Sequence, residues 1–223
     1  MNKKVCLLGT ASTLKEAPYS DNSMEFWALG DMFGIVPMDK ISRWFEIHSR
    51  EENERHLVRC INKPHIEALK GLKIPVYMQE YYKDIPASVP YPLADMADKY
   101  RNLFCSTVDY MMALAIDEKY DEVHIYGVNM ATNGEYASQR PSLYYWLGQA
   151  EGRGIKVVLP EGCDLLKGYF RYGYDEVKEN DLLVKARTKS AELDLQSKEF
   201  MKNYYLSLGA KDTWDFILRE MGQ

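Results

Sequence analysis

Three groups of residues in this chain have the types and spacing to do chemistry. His48 closes the run RWFEIH, with Glu46 two residues before it, which places both side chains on one face of an extended strand. An imidazole beside a carboxylate suits a general base, or a hydrogen-bond donor to a leaving phosphate. A histidine that only packs a loop fits the same pattern. The second group follows Asn129: Glu135, Tyr136, Gln139 and Arg140 combine an anion, a ring, an amide and a cation. Arg140 has the fork for bidentate binding of phosphate or carboxylate, and a Glu135–Arg140 pair that merely fastens the loop is the competing reading. The third is Gly9-Thr10-Ala11-Ser12-Thr13, small and hydroxyl-bearing between an apolar run and a helix start. That layout presents backbone N–H groups to an anion, and a bare turn has the same composition. His124 falls inside a strand, His56 and His65 read as helix-surface residues, and no pair of histidines has the spacing of a zinc site.

These residues need a scaffold, and the stretch Asp121–Pro160 supplies its plan. Glu122 to Tyr126 reads as a strand ending at Gly127; Pro141 suits the first turn of a helix that runs to about Arg153; Ile155 to Leu159 is a second strand. Upstream, Lys4–Leu8, Glu25–Leu29, Arg43–Ile47 and Ile74–Met78 read as four more strands. Glu51 to Leu72 looks helical but for Pro64, and Ser106-Thr107 is an N-cap for a helix to about Asp117. Ile85 to Pro92, rich in proline, is expected to be an extended loop. Six strands alternating with helices predict a Rossmann-like, doubly wound, mostly parallel α/β sheet over residues 1–175. A helical appendage follows over 176–223, broken at Gly209 and suited to packing or to homo-oligomer formation. Ligands of such sheets bind beyond the carboxyl ends of the strands, where all three groups fall.

Composition excludes several classes. A formal charge of −5 argues against binding a nucleic-acid backbone, but not against a small phosphorylated molecule. Four scattered cysteines without a CxxC pair read as reduced thiols, and no signal peptide or bilayer-length apolar run is visible, so a cytoplasmic protein is expected.

Three stretches carry a resemblance: LLGTASTLKEAP, RWFEIH and STVDYMMALAIDEKYDEVHIYGVNM. They resemble segments of a superfamily that includes the bacterial sialyltransferases of glycosyltransferase family 42, the motility-accessory-factor glycosyltransferases and the archaeal 6-hydroxymethylpterin diphosphokinases. The remaining sequence to about residue 175 resembles proteins of tailed bacteriophages. The resemblance implies a nucleotide-binding fold, with Gly9, Thr10, Ser12, Thr13, Ser106 and Thr107 holding a nucleotide or nucleotide-sugar. Thr107 replaces a usual glycine, and Asn129 replaces a usual acidic residue, so no carboxylate is present there for a ribose or a metal. The resulting expectation is a nucleotide-sugar-dependent transferase with His48, Glu46 and Glu135 as catalytic groups. Arg140 would neutralise phosphate charge, and Asn129, Tyr136 and Gln139 would hold the acceptor. A non-catalytic phage accessory protein that binds a nucleotide-derived signal or docks a host protein is the first alternative. A diphosphokinase is the second; it would need Mg²⁺ and the carboxylates of Asp31, Glu46 and Glu135.

Overall fold

Side-chain alternation along the strands explains the layers. In β1 (Lys4–Leu8), Val5 and Leu7 point to one face and Cys6 and Leu8 to the other, and all four are fully buried. A strand apolar on both sides belongs in the middle of a sheet covered on both faces. The computed structural model, which describes residues 2–50, 65–131, 134–166, 171, 173–174 and 181–221, places it there. The other strands are β2 (Met24–Leu29), β3 (Ile41–Phe45), β4 (Val76–Met78), β5 (Ser88–Pro90), β6 (Glu122–Tyr126) and β7 (Lys156–Val158). The sheet order is β5-β4-β3-β2-β1-β6-β7, and every neighbouring pair runs parallel.

The helices are α1 (His65–Lys70), α2 (Leu93–Lys99), α3 (Thr107–Asp117), α4 (Arg140–Glu151) and α5 (Asp181–Met221). Val5, Leu7, Trp27 and Phe45 pack against Met111, Met112 and Ala115 of α3 and Leu143, Trp146 and Leu147 of α4. Cys6, Leu8, Phe26, Trp44 and Val76 pack on the opposite face against Leu14 and against Ile66 and Leu69 of α1. The sheet is therefore doubly wound. Successive strands run outward from β1 to β5, then return to the other side of β1 for β6 and β7. This reversal makes the β1/β6 junction the topological switch point of the sheet. The far end of α3 is fixed by Glu118, whose carboxylate takes two bonds from Arg43 of β3, at 2.5 and 2.8 Å, while the guanidinium lies 4.5 Å from the Trp27 ring centre.

Three expectations need correction. Ile85 to Pro92 is not all loop: Ser88–Pro90 is a seventh strand, on the sheet edge, where a proline's missing donor is tolerated. The helix over Leu93–Lys99 had no clear sequence signal. Pro141 does stand in the first turn of α4, as its type suggests. A π-helical turn, Glu135–Gln139, leads into that helix and had no sequence signal. Gly209 breaks nothing, because α5 runs unbroken for 41 residues. A single glycine in an exposed helix costs about 1 kcal/mol, which good helix formers on both sides absorb. His65 is not on the surface; it is 2% exposed. The expected helix over 51–64, with His56, Cys60 and Pro64, lies outside the described residues. By contact density the chain falls into two units, residues 1–167 and 168–223. The second is dominated by α5, which exposes Leu195, Phe200, Tyr204, Trp214 and Leu218.

Candidate functional site

At the carboxyl ends of β1 and β6 the two strands leave the sheet through glycines, and the two backbones touch. A Cβ on Gly127 would lie 2.2 Å from the Gly9 carbonyl oxygen, and one on Gly9 would lie 2.4 Å from the Gly127 carbonyl oxygen. Gly127 also has φ of +73°, in the left-handed region. Both positions therefore require glycine. Gly9 N–H donates to the Tyr126 carbonyl, Ala11 N–H to the Gly127 carbonyl and Gly127 N–H to Thr13 Oγ1, all at 2.8–2.9 Å. The hydroxyl of Thr13 is thus a clasp between two turns, behind the wall of the site.

In front of this junction lies a cavity of about 460 Å³. One wall is Gly9-Thr10-Ala11, a second is Gly127 to Ala131, and a third is Cys105 to Val108 at the start of α3. Leu29, His48, Glu135 and Gln139 complete the lining. Met130, in this wall, is a non-glycine residue at φ of +50°, a conformation that costs free energy and marks a constrained site. The start of α3 is well anchored. Asp109 is buried, and its Oδ2 accepts the N–H groups of Cys105 and Ser106, both at 2.8 Å, and the Ser142 hydroxyl of α4 at 2.5 Å. Burial raises its pKa, and these bonds oppose the rise. Thr107 and Val108 form the cavity-facing part of the helix start. The side-chain oxygen of Asn129 is buried and makes no hydrogen bond among the described residues. An unmet buried acceptor in a cavity wall is a place for a ligand donor.

His48 and Glu46 form a direct pair. Glu46 is 1% exposed, and its Oε1 lies 2.6 Å from His48 Nδ1. Its Oε2 lies 2.5 Å from His65 Nε2, and His65 Nδ1 lies 3.0 Å from Asp31 Oδ1. Burial alone would raise the Glu46 pKa, but hydrogen bonds from His48 and His65 outweigh it and hold the carboxyl at about 2. Glu46 is therefore an ionised acceptor, and the ring edge that faces it on each histidine carries a proton. His48 carries this pairing into the cavity lining.

The structure brings Gly9, Thr10, Ser106, Thr107, His48, Asn129, Glu135 and Gln139 together around one space. It does not bring all the expected residues there. Ser12 is exposed and outside the lining, and Glu46 stands behind His48. Arg140, expected at phosphate, is also outside the lining. Its guanidinium donates to the Asp164 and Leu165 carbonyls and to the Tyr144 hydroxyl, tying α4 to the segment after β7. The backbone at Tyr136 belongs to the π-helical turn, and its side chain lies outside the described residues. Of the three carboxylates a diphosphokinase would use, Asp31 and Glu46 bond to His65, and only Glu135 lines the cavity. Among the described residues, no group of three His, Cys, Asp or Glu side chains is placed to hold a metal ion. None of the described helices is long and apolar enough to cross a membrane.

Sequence reasoning missed His65. A signal was present: His65 and Leu69 are four apart on one helix face, and both are buried. Reading histidine as polar hid the periodicity.

The chain matches no protein-family model and no curated protein sequence. Solved structures resemble it in layout. The sialyltransferase CstII from Campylobacter jejuni, in complex with the substrate analogue cytidine-5'-monophosphate, superposes with a TM-score of 0.46 at 17% identity, over 70% of this chain and 79% of that one. CstII with CMP-3FNeuAc gives 0.48 at 15% identity over 70% and 79%, and an alpha-2,3-sialyltransferase from Campylobacter jejuni in apo form gives 0.44 at 14% over 73% and 76%. Such likeness assigns no activity and no residue role to this chain, which stands on its own geometry as a doubly wound α/β protein with a polar cavity at its switch point.

Proposed function

We propose that the cavity binds a nucleotide or nucleotide-sugar and that the chain transfers a group from it to an acceptor hydroxyl, as a glycosyltransferase does. The observation that carries this reading is the position and lining of the cavity. It sits at the switch point and is lined by a glycine turn, a helix start, His48 and Asn129, whose side-chain oxygen is buried. Its volume of about 460 Å³ suits a small organic ligand. Phosphate belongs against Gly9, Thr10, Ser106 and Thr107, where the dipole of α3 favours negative charge. Asn129, Glu135 and Gln139 hold the acceptor. His48 Nε2 takes the proton of the acceptor hydroxyl as that oxygen bonds to the transferred carbon. The bond from that carbon to the nucleotide's phosphate oxygen breaks, and its electron pair leaves with the phosphate. Arg140 has a structural role.

A thermal-shift screen of nucleoside monophosphates and of CMP-, UDP- and ADP-linked sugars tests the reading directly. A rise in melting temperature with at least one of them is expected. No rise with any at millimolar concentration would sink it. One observation favours a second reading: the amide of Asn129 stands where the resembling families carry an acid. If binding is tight, turnover is absent and His48→Ala changes neither, the chain is a non-catalytic binder, an accessory protein that sequesters a nucleotide-derived signal.

A further inference from the structure

The site described above uses Glu46 and His48, but the hydrogen-bonded chain does not stop at Glu46. It continues through His65 to Asp31, in the order Asp31–His65–Glu46–His48, with contacts of 3.0, 2.5 and 2.6 Å. Its members come from three places: Asp31 from the exit of β2, His65 from the start of α1, and Glu46 and His48 from the exit of β3. The two inner members are the most buried, His65 at 2% and Glu46 at 1%, while the side chains of the outer two are 23% and 48% exposed. The Phe33 ring lies edge-on to His65, with centroids 5.9 Å apart, and contributes an apolar wall.

Both ring nitrogens of His65 face a carboxylate oxygen. A neutral imidazole donates from one nitrogen only and would set a lone pair against the other carboxylate. A ring that donates from both is the imidazolium. Buried carboxylates persist as anions where such a partner compensates them.

We propose that His65 is a positioning residue for the base of this site: a buried imidazolium, clamped between Asp31 and Glu46, that keeps Glu46 an anion and thereby holds His48 in its Nδ1–H form with Nε2 as the proton-accepting nitrogen. Charge bookkeeping shows why this matters. With His65 cationic the four groups sum to −1 before His48 accepts a proton and to zero afterwards. Without that cation they sum to −2 and −1. The clamp therefore gives His48 one defined ring edge for proton transfer and makes the charge carried by these four groups one unit less negative at each stage. The role of His48 rests on the function proposed above, whereas the state of His65 does not.

The test uses the full chain labelled with ¹⁵N on histidine rings and needs no ligand. Ring nitrogen–proton correlation spectra are collected from about one unit below to about two units above the ordinary histidine pKa of ~6.5. In the wild type, His65 is expected to show two protonated nitrogens, and the neutral form of His48 a proton at Nδ1. In His65→Gln, whose amide keeps one donor to Glu46 but no charge, the titration of His48 is expected to move upward by about one pH unit. Neutral His65 in the wild type, His48 protonated at Nε2, or an unmoved His48 titration in a cooperatively folded His65→Gln protein would each overturn the proposal. Should His65→Gln fail to fold, Asp31→Asn at the more exposed end decides. His65 is then expected to lose its Nδ1 proton, and an unchanged doubly protonated ring would overturn the clamp. If these signatures appear while no nucleotide binds, the clamp stands and the nucleotide reading falls. If nucleotides bind but the signatures are absent, the outcome is the reverse.

Discussion

Replacing Glu46 by glutamine puts a number on the buried pairs behind the cavity. The Glu46 carboxyl is held at about 2 against an ordinary value of 4.5, a difference of roughly 2.5 units. At 1.36 kcal/mol per unit this corresponds to about 3 kcal/mol of stability at neutral pH. The direction follows from the sign of the shift. A carboxyl depressed in the folded state stabilises at every pH above its unfolded value, and that stability is lost as pH falls from about 4.5 towards 2. Glu46→Gln removes the charge while keeping the shape, and leaves His65 buried beside a neutral amide. Losing one partner of a buried ion pair costs about 3–5 kcal/mol in comparable cases, in line with the value from the shift. For a protein of this size 1 kcal/mol moves the melting temperature by about 2–4 °C, so a fall of about 6–12 °C is expected near neutrality. Melting followed by circular dichroism, for wild type and variant across pH, measures it. The gap between the two curves should be widest near neutral pH and should close as pH approaches ~2. A melting temperature unchanged at neutral pH, or a gap that persists undiminished in acid, would refute the reasoning.

Four other perturbations separate the parts of the site. Gly127→Ala places a methyl group 2.2 Å from the Gly9 oxygen at a positive φ, and a loss of more than about 3 kcal/mol in urea unfolding is expected. Asn129→Ala removes a buried oxygen that has no protein partner among the described residues. Melting should be unchanged or higher, while the affinity for the nucleotide found by thermal shift should fall about tenfold by titration calorimetry. Arg140→Ala should do the opposite, lowering the melting temperature by several degrees and leaving that affinity within about twofold, because its donors serve carbonyls after β7. The exposed side chains of α5 are expected to mediate self-association. Light scattering during gel filtration should show a dimer that Phe200→Glu with Trp214→Glu converts to a monomer, and a wild-type monomer at high concentration would end that idea.

The sequence by itself determined the scaffold and one side of the site. β1 and β6 were legible because an apolar run that ends at a glycine carries its own signal within a few residues. The start of α3 was legible from Ser106-Thr107 for the same local reason. The carboxyl-end rule then brings Gly9, His48 and Asn129 together from sequence alone, because strand direction in a parallel sheet fixes which ends share an edge.

Tertiary structure decided what no local window holds. That Gly9 and Gly127 need each other's missing Cβ is a contact across more than a hundred residues of chain. The Arg140 guanidinium faces carbonyls rather than the cavity because of where the segment after β7 returns. Glu46 shares its charge between His48 and His65 because α1 docks on the sheet with its first residue inward. A pattern of residue types can propose a base at His48, but the group that holds its partner charged is chosen by packing, since only packing sets which buried groups meet.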